Sequence, residues 1–206
     1  MTNKELEKRI KELEAKVEKL TIPVIEGKMP TVEELLEIVK NSKQLTIKDI
    51  EVGGKFTYKG HNYTKLNKDN FCIIDDYDED FMRCIFDPIT NNYDESIIRS
   101  YLNSERFINR LGVDLEDLDN VYTDANGKED KLTLLSREEY EEYRDLIEDY
   151  DIWWATRSPS GGSASYFCYV DASGHIGTTN VYTSGGVRLG FRLLPATPVD
   201  RKGNEE

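Results

Sequence analysis

The stretch from 153 to 193 restricts the possible folds more than any other part of this chain. Trp153-Trp154-Ala155-Thr156-Arg157-Ser158-Pro159 opens it, a run of small and aromatic residues follows, and Gly186-Val187-Arg188-Leu189-Gly190-Phe191-Arg192-Leu193 closes it. Its pattern predicts strands near 152–156, 165–171, 175–182 and 187–194, joined by exposed turns. Adjacent residues of a strand point to opposite faces, so one Trp of the pair is expected in the core and the other near a surface.

Upstream, the apolar period is also two. Lys55 to Leu66 predicts two short strands around a Lys59-Gly60-His61-Asn62 turn, followed by strands over 71–74 and 81–86. Tyr93 to Asn103 then predicts a helix, with Asp94 as its N-cap and Ile97, Ile98, Tyr101 and Leu102 facing inward. Leu132 to Leu135 predicts a buried strand that runs into a capping box, Ser136 with Glu139, and a helix carrying Tyr140, Tyr143, Leu146 and Ile147. The order sheet, helix, helix, sheet predicts a segregated α+β fold rather than alternating βα units.

The N-terminal segment follows another rule. Leu6, Ile10, Leu13, Val17 and Leu20 recur in alternating steps of four and three among Glu and Lys, which is a heptad seam. This seam predicts a homo-oligomer, dimer or trimer, although so short a helix is marginal alone. Pro23, Gly27 and Pro30 then break the helix, and Thr31 with Glu34 caps a second one. The resulting division is a coiled-coil helix over 1–20, a linker over 21–30, a helix and connection over 31–49, a main domain over 50–195 and a flexible tail over 196–206.

A net charge of −13 argues against a nucleic-acid partner, because phosphate contacts need clustered Lys and Arg. No apolar run is long enough for membrane insertion, and the charged start Met1-Thr2-Asn3-Lys4-Glu5-Leu6 is unlike a signal peptide, so the expectation is synthesis in the cytoplasm. Cys72, Cys84 and Cys168 lack CxxC spacing and read as buried free thiols, with no metal site. The carboxylates of 75–80 and 124–130 do not follow an EF-hand pattern and read as a solvated loop and a turn. His61 and His175 sit in turn contexts without a nucleophile motif, so no catalytic residue and no cofactor is expected.

Five motifs occur in order: Ser96-Ile97-Ile98-Arg99 with Leu102-Asn103; Leu134-Leu135-Ser136 with Glu139; Trp153-Trp154 with Arg157-Ser158-Pro159; Val170 with Gly174; and Gly186-Val187-Arg188. Together they resemble an uncharacterised domain family common in Gram-positive bacteria and their prophages. That family is similar to C-type lectin-like domains, in which two helices flank a small sheet and a loop-rich second sheet presents the binding side chains. The ending Leu189-Gly190-Phe191-Arg192-Leu193 departs from the family's usual Pro and is closer to formylglycine-generating enzymes and to hypervariable phage receptor-binding lectins. The three cysteines do not reproduce the enzymes' cysteine pair, so the resemblance implies a binding module and no carried-over activity.

The segment 163–184 has a paratope-like composition, in which Tyr supplies rigid contact area and Ser, Gly, Thr and Asn supply adaptable hydrogen bonds. From Pro159 to Asp200 the chain lacks Lys, Glu, Gln, Met and Trp, the residues that codons ending in C cannot encode. Adenine-directed diversification of a receptor-binding protein would leave such an absence. Trp153, Trp154, Arg157, Tyr166, Tyr169, His175, Asn180 and Tyr182 are therefore the expected contacts for a surface glycan or protein ligand. The function expected from the resemblance is a phage or prophage receptor-binding protein carried on the virion. The alternative is a structural virion or cell-surface protein that recognises no host ligand, and an oxidase or hydrolase ranks behind both.

Overall fold

The structure is a computed structural model that describes residues 44–76, 78 and 82–201. The heptad Leu6 to Leu20, the linker over 21–30 and the helix capped by Thr31 lie outside the described residues. The folded unit begins at Leu45, earlier than the expected 50. Thr46 opens a single 3-10 turn, its amide donating to Asp49 Oδ2 at 3.1 Å, and Ile47 enters the core.

Among the described residues, fourteen strands in three sheets carry the fold. A seven-stranded sheet runs β14 (Asp200–Arg201), β1 (Lys55–Tyr58), β2 (His61–Lys65), β3 (Phe71–Ile74), β13 (Leu189–Leu193) and β5 (Leu118–Asp119), with β8 (Leu132–Leu134) also pairing β13. A five-stranded sheet runs β11 (Ile176–Asn180), β10 (Tyr166–Val170), β9 (Trp154–Pro159), β12 (Ser184–Gly186) and β4 (Arg83–Ile85). The third is the hairpin of β6 (Tyr122–Thr123) and β7 (Glu129–Asp130).

Three short α-helices accompany them among the described residues: α1 (Ile97–Leu102), α2 (Glu105–Leu111) and α3 (Arg137–Tyr143). The expected α+β C-type lectin-like fold is thus overturned; this domain is mostly β. The helical signals were present, but each helix is stopped within two turns. Asn103 and Ser104 end α1 and begin α2, and Gly112 ends α2 in the left-handed region at φ 72°. Meanwhile β5, β6, β7, β12 and β14 are two or three residues long, too short to show any alternation; β5, β12 and β14 exist only because distant partners pair with them, and β6 and β7 pair with each other across a short turn.

Most of the longer elements follow from local chemistry. Lys59 and Gly60, at φ 51° and 87°, form the two-residue turn of the β1–β2 hairpin, with Tyr58 opposite His61. The capping box at α3 is formed, with Ser136 N donating to Glu139 Oε2 at 2.8 Å and Glu139 N donating to Ser136 Oγ at 3.1 Å. At α1 the N-cap is Ser96, not Asp94, because Asp94 instead accepts from the Tyr122 hydroxyl and the Ala125 amide. Residues 198–201, expected as part of a tail, are paired: Pro198 bridges Thr46, and Asp200 and Arg201 lie opposite Thr57 and Phe56.

The larger core cluster gathers Phe56, Tyr63 and Phe191 with Phe86 and Phe167, the last two stacked at 4.6 Å. A second cluster packs Trp154 and Val170 of the five-stranded sheet against Phe71, Leu135 and Tyr140. Burial pushes the phenols of Tyr58, Tyr63 and Tyr93 up, that of Tyr93 to about 12. A phenol held protonated in the fold stabilises it fully below the unfolded value of about 10, and that contribution is lost as pH rises through the folded value. Urea midpoints are therefore expected to fall from pH ~10 upward, and Tyr93→Phe is expected to flatten that decline.

Candidate functional site

Across one end of the five-stranded sheet lies an open groove of about 500 Å³, bordered by Trp153, Tyr169, Arg83, Asp151, Asp171 and Ser184, with Gly185 and Gly186 among its lining. Trp153 immediately precedes β9 and is half-buried, whereas Trp154, the first residue of the strand, is 1 % exposed. The pair splits between faces as adjacent extended residues must. Trp154 meets the Tyr140 ring edge-on at 5.5 Å in the second core cluster.

The Trp153 and Tyr169 rings meet at 5.2 Å with planes 61° apart, forming an aromatic corner. Glycines make room for both. A Cβ at position 177, opposite Tyr169 in the β10–β11 ladder, would come within 2.7 Å of the Tyr169 ring, and one at position 185 would overlap the six-membered ring of Trp153. Gly185→Val is expected to drive the Trp153 ring out of its seat, with a stability loss of about 1–3 kcal/mol as for other overpacked sites. A urea unfolding curve against the wild type checks this.

The rim carries charge of both signs. Arg83, on β4, faces Gly186 of β12 in register, and Gly186 in turn pairs Trp154, so Arg83 stands at the edge of the sheet beyond the glycines. Asp171 stands at the other side, at the end of β10. Its Oδ1 accepts from Ser173 N, Ser173 Oγ and His175 N, each at 2.9 Å, and these donors hold its carboxyl below the usual carboxylate range. The same bonds tie down the turn from Asp171 to His175.

The sequence-predicted contacts are not brought to one place. Trp153 and Tyr169 line the groove, and the turn that carries His175 borders it. Tyr166 and Asn180 face each other at the opposite end of the β10–β11 ladder, with Tyr182 just beyond. There Tyr166 is 42 % and Tyr182 64 % exposed, and Asn180 Oδ1 is buried without a hydrogen-bond partner. Arg157 is engaged inside the protein: its guanidinium pairs with Glu139, donates to Leu134 O and lies 5.4 Å over the Tyr122 ring. Trp154 is core. Sequence reasoning missed Arg83, Asp151, Asp171, Ser184 and the glycine pair, and the available signal was the Gly185-Gly186 dipeptide, because adjacent glycines in a strand invite a large ring to lie close.

Asp75 accepts from Thr64 and Arg188, and Asp76 accepts from Asn62, so these two residues of the acidic run serve the fold rather than a solvated loop. Asp124 caps its own turn through the amides of Asn126 and Lys128. Cys72, Cys84 and Cys168 are free, and burial pushes all three thiols up, away from the thiolate form. Among the described residues no cluster of three or more His, Cys, Asp or Glu has metal-binding geometry, and no helix is long and apolar enough to cross a membrane.

Fold and groove together define a mostly-β domain with an open, glycine-seated aromatic cleft on its smaller main sheet. A family model described as "Domain of unknown function (DUF6273)" matches residues 116–195. The matched span holds β9 to β13 and every groove residue except Arg83. No curated protein and no solved structure matches the chain.

Proposed function

We propose that this domain is a non-catalytic binding module that seats part of a surface glycan, or a substituent on one, against Trp153 and Tyr169. The observation that carries the reading is the half-buried aromatic corner open to a cleft of about 500 Å³. Ligand sites combine such an apolar floor with a few polar groups that set orientation, here Ser184, Asp151, Asp171 and Arg83. Single-site binding of this kind is weak, and display in several copies, as the N-terminal heptad suggests, would raise it through avidity.

Labelled full-length protein applied to Gram-positive cells tests the reading. Trp153→Ala is expected to reduce retention at least tenfold in protein that still unfolds cooperatively in urea, its midpoint lowered because the ring also packs against Phe167 and the larger core cluster. Retention equal to wild type would remove the groove from the site. A second reading, a protein-docking surface, rests on Ile89, Tyr166 and Tyr182, which are 80 %, 42 % and 64 % exposed. The 87–91 loop is tied there by Asp87 N to Val181 O and by the Asn91 side chain to Tyr166 O. Under that reading Tyr166→Ala with Tyr182→Ala, and not Trp153→Ala, abolishes association.

A further inference from the structure

We propose that the group seated in the groove is an alkylammonium cation, carried by the ligand against the Trp153–Tyr169 corner and between Asp151 and Asp171. This rests on the groove being the binding site. The argument begins with ring geometry. Two aromatic rings 5.2 Å apart with planes 61° apart form two sides of a box, and the negative π-faces of Trp and Tyr attract an ammonium within about 6 Å.

Charge supplies the second step. Asp151 and Asp171 both line the groove, and Asp151 is exposed. Oδ1 of Asp171 is occupied by the backbone of its own turn, and the donors there keep the carboxylate ionised. Among the described residues the basic side chain beside Asp171 is His175, whose Nδ1 lies 3.8 Å from Asp171 Oδ1. Arg83 stands at the far edge, on β4, with the strands β12 and β9 between it and Tyr169. Tyr169 therefore lies on the Asp171 side of the groove, while the Trp153 ring lies over Gly185 of β12, the strand next to Arg83's, in a chain of net charge −13 that draws cations.

A metal ion fits this site poorly. Two carboxylates and a hydroxyl do not make the six to eight oxygen ligands that calcium takes, and the apolar rings offer it nothing. An alkylammonium uses both parts, since its methyl or methylene groups pack on the rings while its charge faces the carboxylates. Two sources share this chemistry: a quaternary choline-type substituent and a primary amine on an amino sugar.

Calorimetric titration of the full chain with choline, D-glucosamine, N-acetyl-D-glucosamine, calcium chloride and 3,3-dimethylbutan-1-ol, the uncharged isostere of choline, tests the proposal. Choline or glucosamine is expected to bind saturably, at least tenfold more tightly than the isostere and N-acetyl-D-glucosamine. The tighter of the two identifies the source. Asp151→Asn, which removes no hydrogen bond among the described residues, is expected to weaken ammonium binding several-fold, and Trp153→Leu to abolish it. Equal binding of choline and its isostere, binding of N-acetyl-D-glucosamine or calcium alone, or no saturable ammonium binding would overturn the proposal. The cell-retention result for Trp153→Ala stands apart from these titrations, so a neutral glycan ligand would sink the ammonium inference and leave the groove as the site.

Discussion

Arg188→Ala is expected to cost about 3–5 kcal/mol of stability, the range for removing one partner of a buried ion pair, and to lower the melting temperature by roughly 6–20 °C for a domain of this size. Arg188 is 1 % exposed, and each nitrogen of its guanidinium is used. Nε donates to Ile74 O at 3.0 Å, one terminal nitrogen to Glu148 O at 2.7 Å and the other to Asp75 Oδ1 at 3.1 Å. The plane also sits 4.6 Å from the Tyr150 ring. Removing it strands two carbonyls and a buried carboxylate at once.

The pH dependence of that variant follows from Asp75. Burial already pushes its carboxyl up, and the Thr64 hydroxyl and Arg188 oppose the rise. Without Arg188 the folded value climbs further above the unfolded one, so the stabilisation belongs to the protonated form and is lost as pH rises through the folded value. The urea midpoint of Arg188→Ala is thus expected to fall more steeply than that of the wild type as pH rises above the unfolded carboxylate value of about 4. Asp75→Asn in the same background should remove the slope, and a persisting slope would show that another group carries it.

Arg99→Ala is expected to be comparably severe, again about 3–5 kcal/mol, but to fail differently in acid. Arg99 reaches from α1 to the β6–β7 hairpin, donating to Asp130, to Asp124 at 2.8 Å and to Asp94 O at 2.7 Å. Its hydrogen bond holds the Asp124 carboxyl below the usual range. A depressed carboxylate stabilises above its unfolded value and loses that contribution as pH falls through the folded one. The wild type is therefore expected to lose stability on acidification, and Arg99→Ala to show a flatter acid limb from a lower start. Arg99→Lys should not rescue it, because one ammonium cannot reproduce the fork that reaches two carboxylates and a carbonyl. Rescue by Lys would assign the role to charge alone.

These two arginines show why the site was only partly readable. Arg188 lies in a motif that stands out in the sequence, Gly186-Val187-Arg188, yet its partners are 113 and 40 positions away at Asp75 and Glu148. Arg99 reads locally as one more polar residue on an amphipathic helix, and only the fold brings Asp130 and Asp124 to it. Arg157, expected among the ligand contacts, finds Glu139 and Leu134 O for the same reason. A long cationic side chain next to a turn looks alike in the sequence whether it serves a ligand or a distant carbonyl.

What the sequence determined by itself is what neighbours along the chain decide. The β1–β2 hairpin follows from Lys59-Gly60, the start of α3 from Ser136 and Glu139, and the splitting of Trp153 from Trp154 from the two-residue period of extended chain. Tertiary structure alone decided that the domain is mostly β, since β5, β12 and β14 owe their existence to partners far away in sequence and the local β6–β7 hairpin is too short to show alternation. It also decided that Tyr169 joins Trp153 over glycines while Tyr166 and Tyr182 go to the other end of the same sheet. The physical reason is one of range: turns and caps are closed by bonds within a few residues, whereas strand pairing and groove formation are settled by contacts that the chain makes only once it has folded.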